Sequence, residues 1–295
     1  MDFNIVLNFL KELAKHNDKA WFDKNKQKYL DVKTAFEEIV TRLFDDMLKI
    51  DPTLSGLEPK KLIFRIYRDV RFSKDKRPYK TNMGAAFSAT GKGLGRPGYY
   101  LHIEPGNKSF IGAGLYMPEP DVLAKVRQEI DYNGKQLDKL MMAKSFRAYF
   151  DDFWDGDKLK TMPKGYSKEH AYIEWIKLKS FIVTHEFKDT EVKDKQFLKK
   201  VITAYKSAMP MNNFSERHWI SGAGYLTCRV WRRSLPFKIF VLLKLQFFLL
   251  LFTLIFESVS QVLHLFFEIT YDLLFHRFGV VNNTVIIGGA HYLQK

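Results

Sequence analysis

Two short stretches carry side chains that could do chemistry together. RIYRDVRFSKDKRPYK, at 65–80, has basic residues at 65, 68, 71, 74, 76, 77 and 80 and aspartates at 69 and 75; GYYLHIEPG, at 98–106, sets His102 and Glu104 two residues apart. Side chains alternate faces along a strand, so an extended 61–72 would group Ile63, Arg65, Tyr67, Asp69 and Arg71 on one side. The same rule groups Tyr100, His102 and Glu104. If the two polar faces coincide, His102 becomes a general base oriented by Asp69 or Glu104, with Arg65 and Arg71 stabilising an anion. The competing reading is a salt-bridged sheet face, in which each cross-strand charge pair contributes only about 0.2–1 kcal/mol.

The second half of the first stretch, FSKDKRPYKTN, has turn chemistry. Ser73 and Asp75 can bond local amides and Pro78 fixes the chain, so Lys74, Lys76, Arg77 and Lys80 are displayed on a loop. The anion-binding candidates are therefore Arg65, Arg68, Arg71, Lys74, Lys76 and Lys80, set against the plainer reading of a solvated basic loop. Other motifs are weak. The glycines of GKGLGRPG lack the Gly-Lys-Ser/Thr ending of a phosphate loop and the strand-to-helix setting of a dinucleotide fingerprint. His170 and Glu174 stand four apart without an H-E-x-x-H context, so no metal site is expected. Ser221 lacks the G-x-S-x-G context of a hydrolase elbow. The sequence names no cofactor.

These residues need elements to hold them. Apolar spacing predicts helices over 3–15 and about 31–50, the latter with Val32, Phe36, Ile39, Val40, Leu43, Phe44 and Met47 in one stripe. Three segments read as strands: 61–72, 98–104 and 109–116, the last two joined by a Pro105-Gly106 turn short enough to favour antiparallel pairing. Helical spacing returns after Pro118 and Pro120, through Leu123, Val126, Ile130, Leu137, Leu140 and Met141, and again over 167–183 and 193–208. Strands and helices in blocks, without regular βαβ alternation, predict an α+β fold in which helices flank an antiparallel sheet.

The 295 residues and 46% apolar content suffice to bury a core, and a net charge of +14 favours acidic partners such as phosphate-bearing ligands, nucleic acid or an anionic membrane surface. One cysteine, Cys228, excludes an internal disulfide framework and cysteine-based zinc clusters, as suits a reducing, cytoplasmic compartment. The N-terminal segment reads as an amphipathic helix rather than a signal peptide.

Charge density divides the chain. Residues 1–214 hold 68 charged residues and 215–295 only 12. Within 237–256, FKIFVLLKLQFFLLLFTLIF, 16 of 20 residues are apolar, the length of a membrane-crossing helix. Lys244 near its middle costs about 2.5–3.5 kcal/mol on insertion scales. Arg229, Arg232 and Arg233 precede it, with Lys238 at its first turn, and would keep the N-terminal domain on the cytoplasmic side.

RIYRDVRFSKDKRPYKTN, PGYYLHIEPG and IGAGLYMPEPDVLAKVRQEI, with the opening FLKELAKHNDKAWFDKNKQKY, resemble the bacterial family known as domain of unknown function 2461 over about residues 3–214. The matching positions include Arg65, Tyr67, Arg68, Asp69, Arg71, Phe72, Ser73, Lys74, Asp75, Pro78, Tyr79 and Lys80, then Tyr99, Tyr100, His102, Glu104, Gly112 and Gly114. The resemblance implies a compact α+β domain and no particular reaction, substrate or cofactor. Members of the family typically stop soon after the segment matching AYKSAMPMNNF. The tail at 215–295 has two readings: an anchor holding the domain at the cytoplasmic face of the inner membrane, or unrelated sequence entered through a frameshift near 213–215.

The leading functional expectation is an anion- or phosphate-binding domain. The alternatives are an enzyme acting on a phosphorylated or nucleic-acid substrate with His102 as base, and a structural or interaction module without a ligand.

Overall fold

The computed structural model describes residues 2–93 and 95–220, together with two short strands at 286–287 and 290–291. The first helix, α1 (Phe3–Lys15), starts where the Asp2 carboxylate accepts the Asn4 N–H at 2.8 Å and buries Val6, Leu10 and Leu13. Asp18 caps α2 (Lys19–Lys24) through the Trp21 N–H, and α3 (Lys26–Ile50) follows at once. The stripe from Val32 to Met47 is buried along its length, as its spacing predicts. Helix α3 therefore extends the predicted 31–50 by about one turn at its start.

The sheet is antiparallel throughout and its strands lie in chain order: β1 (Met83–Ser88), β2 (Gly98–Ile103), β3 (Ser109–Leu115) and β4 (Phe181–Phe187). One face carries Ala85, Phe87, Leu101, Ile103, Ile111, Ala113 and Val183 into the core. Helices α4 (Pro120–Met141), α5 (Lys144–Arg147), α6 (Ile173–Ile176), α7 (Asp189–Val192) and α8 (Phe197–Ile220) complete the described part of the domain. Helix α8 packs on β3 and against α3 and α4. Tyr205 on α8 meets the Tyr99 ring at 4.9 Å and donates its hydroxyl to the Tyr100 carbonyl at 2.8 Å, tying the helix to the centre of β2. The architecture is α+β, with helices flanking a four-stranded antiparallel sheet.

Three expectations change. The segment at 61–72 is extended without forming a regular strand: a 3-10 turn, Pro59–Leu62, opens it, and single bridges join Ile63 to Ala85 and Tyr67 to Tyr79. The predicted helix over 167–183 is instead the single turn α6 followed by β4. FIVTHEF is rich in β-branched and aromatic residues, and its alternate positions Phe181, Val183 and Phe187 are buried. Strand β1 was not expected, because MGAAFS contains no β-branched residue.

Two glycines fix the sheet's shape. Gly114 sits at φ +125°, and a Cβ there would lie 2.0 Å from the Phe181 carbonyl oxygen, so β3 and β4 approach as they do only with glycine present. On β1, a Cβ on Gly84 would lie 2.6 Å from the Tyr100 hydroxyl, so this glycine leaves room for the tyrosine to lie across the strand.

The chain divides into two compact units, Met1–Gly224 and Tyr225–Lys295; within the second, β5 (Ile286–Ile287) pairs antiparallel with β6 (Ala290–His291). Among the described residues no helix is long and apolar enough to cross a membrane. The candidate span at 237–256 lies outside the described residues.

Candidate functional site

The sheet face opposite the core is built from alternate residues. The register sets Gly84, His102, Phe110 and Glu186 across the four strands, and Ala86, Tyr100, Gly112 and Thr184 in the next row. Tyr100 has small neighbours on both strands, Ala86 and Gly112, while His102 lies between Gly84 and the Phe110 ring.

His102 is 8% exposed and both of its ring nitrogens are engaged. Nε2 lies 3.0 Å from Glu104 Oε2, and Nδ1 lies 3.2 Å from the Tyr100 hydroxyl. With Glu104 as a carboxylate, Nε2–H donates to it and Nδ1 accepts from the Tyr100 O–H. Thr81 donates its hydroxyl to the other Glu104 oxygen at 3.0 Å. The Phe110 ring stacks on the imidazole at 4.5 Å between centroids. Tyr100, His102, Glu104 and Thr81 thus form one continuous hydrogen-bonded chain.

Electrostatics sharpen this arrangement. Burial holds the His102 imidazole below its usual range; the Glu104 bond and charge pull it back up, and the nearby Lys80 pushes it down again. The Tyr100 phenol is pushed up to about 12, by burial and then by the Glu104 charge. The chain is therefore neutral at its Tyr and His members near pH 7.

A cationic group adjoins it. Lys80 and Lys92 place their ammonium groups 5.5 and 5.8 Å from the Phe64 ring centroid, and that ring is 6.1 Å from the ring of Tyr100. Lys92 also donates to the Ile63 carbonyl at 3.1 Å. Burial, then repulsion from Arg65 and Lys92, lowers the Lys80 pKa. Among the described residues no carboxylate lies within ion-pair distance of Arg65, Lys80 or Lys92.

The remaining candidates from the basic stretch sit apart from His102. The segment folds as a hairpin in which the Arg68 N–H donates to the Pro78 carbonyl and the Lys80 N–H to the Ile66 carbonyl. Its charges are largely neutralised internally. Arg68 pairs with Asp75 at 2.6 Å, Arg77 pairs with the same carboxylate at 2.7 Å, and Arg71 grips Asp69 through two nitrogens. The Arg77 and Arg68 bonds hold the Asp75 carboxyl far below the usual range. Lys76 caps the Val70 carbonyl at 3.1 Å, Lys74 is exposed, and Phe72 at the tip is 95% exposed.

The expected meeting of 65–71 with 99–104 fails in one respect. Strand β1 lies between them, so Asp69 bonds Arg71 and has no hydrogen bond to His102, leaving Glu104 as the only carboxylate of the pair at the imidazole. Sequence reading passed over Phe64, Lys92 and Thr81. Lys92 lies in the glycine-rich loop, where nothing local marks it. Tyr100 is grouped with His102 and Glu104 by strand alternation alone, but without a role at the site.

Residues 5–214 match the model of a family described as Conserved hypothetical protein (DUF2461). The chain belongs to DUF2461. No curated protein and no solved structure matches it. The DUF2461 match spans every residue of the sheet face and ends before the tail. Among the described residues no three His, Cys, Asp or Glu side chains gather as a metal site would require. A cleft of about 570 Å³ at the N-terminal end of α8, lined by Phe3, Arg42, Asp46, Lys195 and Lys199, does not include His102 or Glu104.

Proposed function

We propose that the outer face of the β1–β2–β3 sheet binds a phosphate-bearing or other anionic ligand, with Arg65, Lys80 and Lys92 supplying the charge. The observation that carries this reading is that none of those three cations forms an ion pair with a carboxylate among the described residues. In the neighbouring hairpin the chain pairs Arg68, Arg71 and Arg77 with its own carboxylates. Around Phe64 the described residues place no carboxylate within ion-pair distance, although the Arg65 charge reaches Asp69, and half-buried Lys80 pays an electrostatic penalty that an incoming anion would relieve. The net charge of +14 favours anion capture at long range. The ligand class extends to nucleic acid, whose phosphates offer the same charge.

Isothermal titration with sulfate and with inorganic phosphate tests this. A charge-assisted hydrogen bond contributes about 1.5–3 kcal/mol, so Lys80→Met should weaken binding roughly ten- to hundredfold. Lys168→Ala, at an exposed position before α6, should leave it unchanged. Equal affinity in the Lys80→Met protein would remove the site.

A second reading, an enzyme acting on a phosphorylated or nucleic-acid substrate, is favoured by the 3.0 Å contact between His102 and Glu104, the geometry of an oriented general base.

A further inference from the structure

We infer that Tyr100, rather than His102, is the residue that meets the bound anion, and that His102 takes up a proton behind it when the anion binds. The inference rests on the anion-site reading above and adds to it which side chain touches the ligand and how binding depends on pH.

His102 has its Nε2 on Glu104 and its Nδ1 on the Tyr100 hydroxyl, with Phe110 stacked over the ring, so neither nitrogen is free for a ligand. The hydrogen-bonded chain has two ends, the Thr81 hydroxyl and the Tyr100 hydroxyl. Tyr100 is the end on the side of the cations, since its ring adjoins the Phe64 ring that carries Lys80 and Lys92.

In the ligand-free arrangement the Tyr100 proton points at His102 Nδ1. An anion at Lys80 needs donors, and Tyr100 can serve only by turning its O–H outward. That turn leaves Nδ1 without a partner in a buried position, which is costly. The vacancy is filled if Nδ1 binds a proton from solvent. Nδ1–H then donates to the Tyr100 oxygen, Tyr100 O–H donates to the anion, and Nε2–H still donates to Glu104. One proton is taken up from solvent for each anion bound, forming the Nδ1–H bond, and no bond between heavy atoms forms or breaks.

The groups facing the imidazole agree with this. Glu104 on β2 stabilises the imidazolium, Lys80 opposes it until the anion neutralises that lysine, and β3 contributes only the uncharged Phe110 ring. Thr81 holds Glu104 in place. Glu186 on β4 stands beyond Phe110 in the same row. Anion charge at Lys80 therefore removes the repulsion that Lys80 exerts on a protonated His102.

The experiment uses sulfate, which does not itself titrate between pH 5 and 8, and the full chain. Isothermal titration in two buffers of different ionisation enthalpy reads the protons taken up per sulfate. The expected result is uptake approaching one proton in the intact protein, affinity that increases from pH 8 to pH 6, and uptake near zero in Tyr100→Phe and His102→Gln. A second readout needs no variant. The ¹⁵N signals of His102 should move from a neutral Nε2–H pattern to that of an imidazolium as sulfate is added. Sulfate binding without proton uptake, or uptake that persists in Tyr100→Phe, overturns the inference while leaving the anion site standing. No sulfate binding at all overturns both.

Discussion

Gly84→Ala should destabilise the domain, although alanine is ordinarily the better residue inside a strand by about 0.5–1 kcal/mol. The added methyl would sit 2.6 Å from the Tyr100 hydroxyl, 3.1 Å from Tyr100 Cε2 and 3.1 Å from the Leu101 carbonyl oxygen. Ordinary contact needs about 3.5 Å, so the hydroxyl must retreat by roughly 0.9 Å. A displacement of that size is enough to break its 3.2 Å bond to His102 Nδ1. Loss of a partner at a buried nitrogen costs about 1–3 kcal/mol, and crowding of this kind adds about 1–3 kcal/mol more. After the gain in strand propensity of about 0.5–1 kcal/mol, the net loss is about 1–5 kcal/mol, or a fall in Tm of about 2–20 °C for a domain of this size. Urea unfolding of the wild type, Gly84→Ala, Tyr100→Phe and the double variant measures it. Because the closest clash is with the hydroxyl, Gly84→Ala should cost less in the Tyr100→Phe background than alone. A Gly84→Ala protein as stable as the parent, or a double variant showing simple additivity, would refute the argument that Gly84 exists to seat Tyr100.

Further outcomes follow from the same geometry. The His102 imidazole titrates below its unfolded value of about 6.5, so the unfolded chain binds more protons in the interval between the two. Its contribution to stability therefore falls as pH drops through about 6.5 and levels off below the folded value; urea midpoints between pH 5 and 8 should show this slope, and His102→Gln should reduce it. Gly114→Ala combines a φ of +125° with a Cβ 2.0 Å from backbone, so it should cost more than the roughly 1–3 kcal/mol of backbone strain alone. A drop in the thermal unfolding midpoint larger than that of Gly84→Ala checks it.

Much of the helical frame was legible because the signals were local. The apolar stripes of α1 and α3 are periodic, and the Pro105-Gly106 turn between alternating runs announced β2 and β3. What escaped was decided by neighbours. Strand β1 is made of small residues whose fitness for a strand comes from the Tyr100 ring lying over Gly84, which no single-segment propensity contains. Strand β4 was absorbed into a helical pattern because Ile173 to Ile176 does make a helical turn just before it. At the site, the two-residue spacing of Tyr100, His102 and Glu104 was enough to put them on one face. Asp69 could not be excluded from sequence, since its distance from His102 depends on the intervening β1. The gathering of Lys80 and Lys92 at Phe64 is likewise a tertiary fact, with residues 64 and 92 brought together by the pairing of Ile63 with Ala85.

The central claim, that the sheet face around Phe64 is an anion site, is tested most directly by sulfate titration followed through residue-specific NMR shifts. The account predicts saturable movement of the Lys80, Lys92, Phe64 and Tyr100 signals with one shared affinity, and little change at Arg68, Arg71 and Arg77, whose charges are already paired. Movement confined to the hairpin, with the Lys80 and Tyr100 signals still, would contradict it.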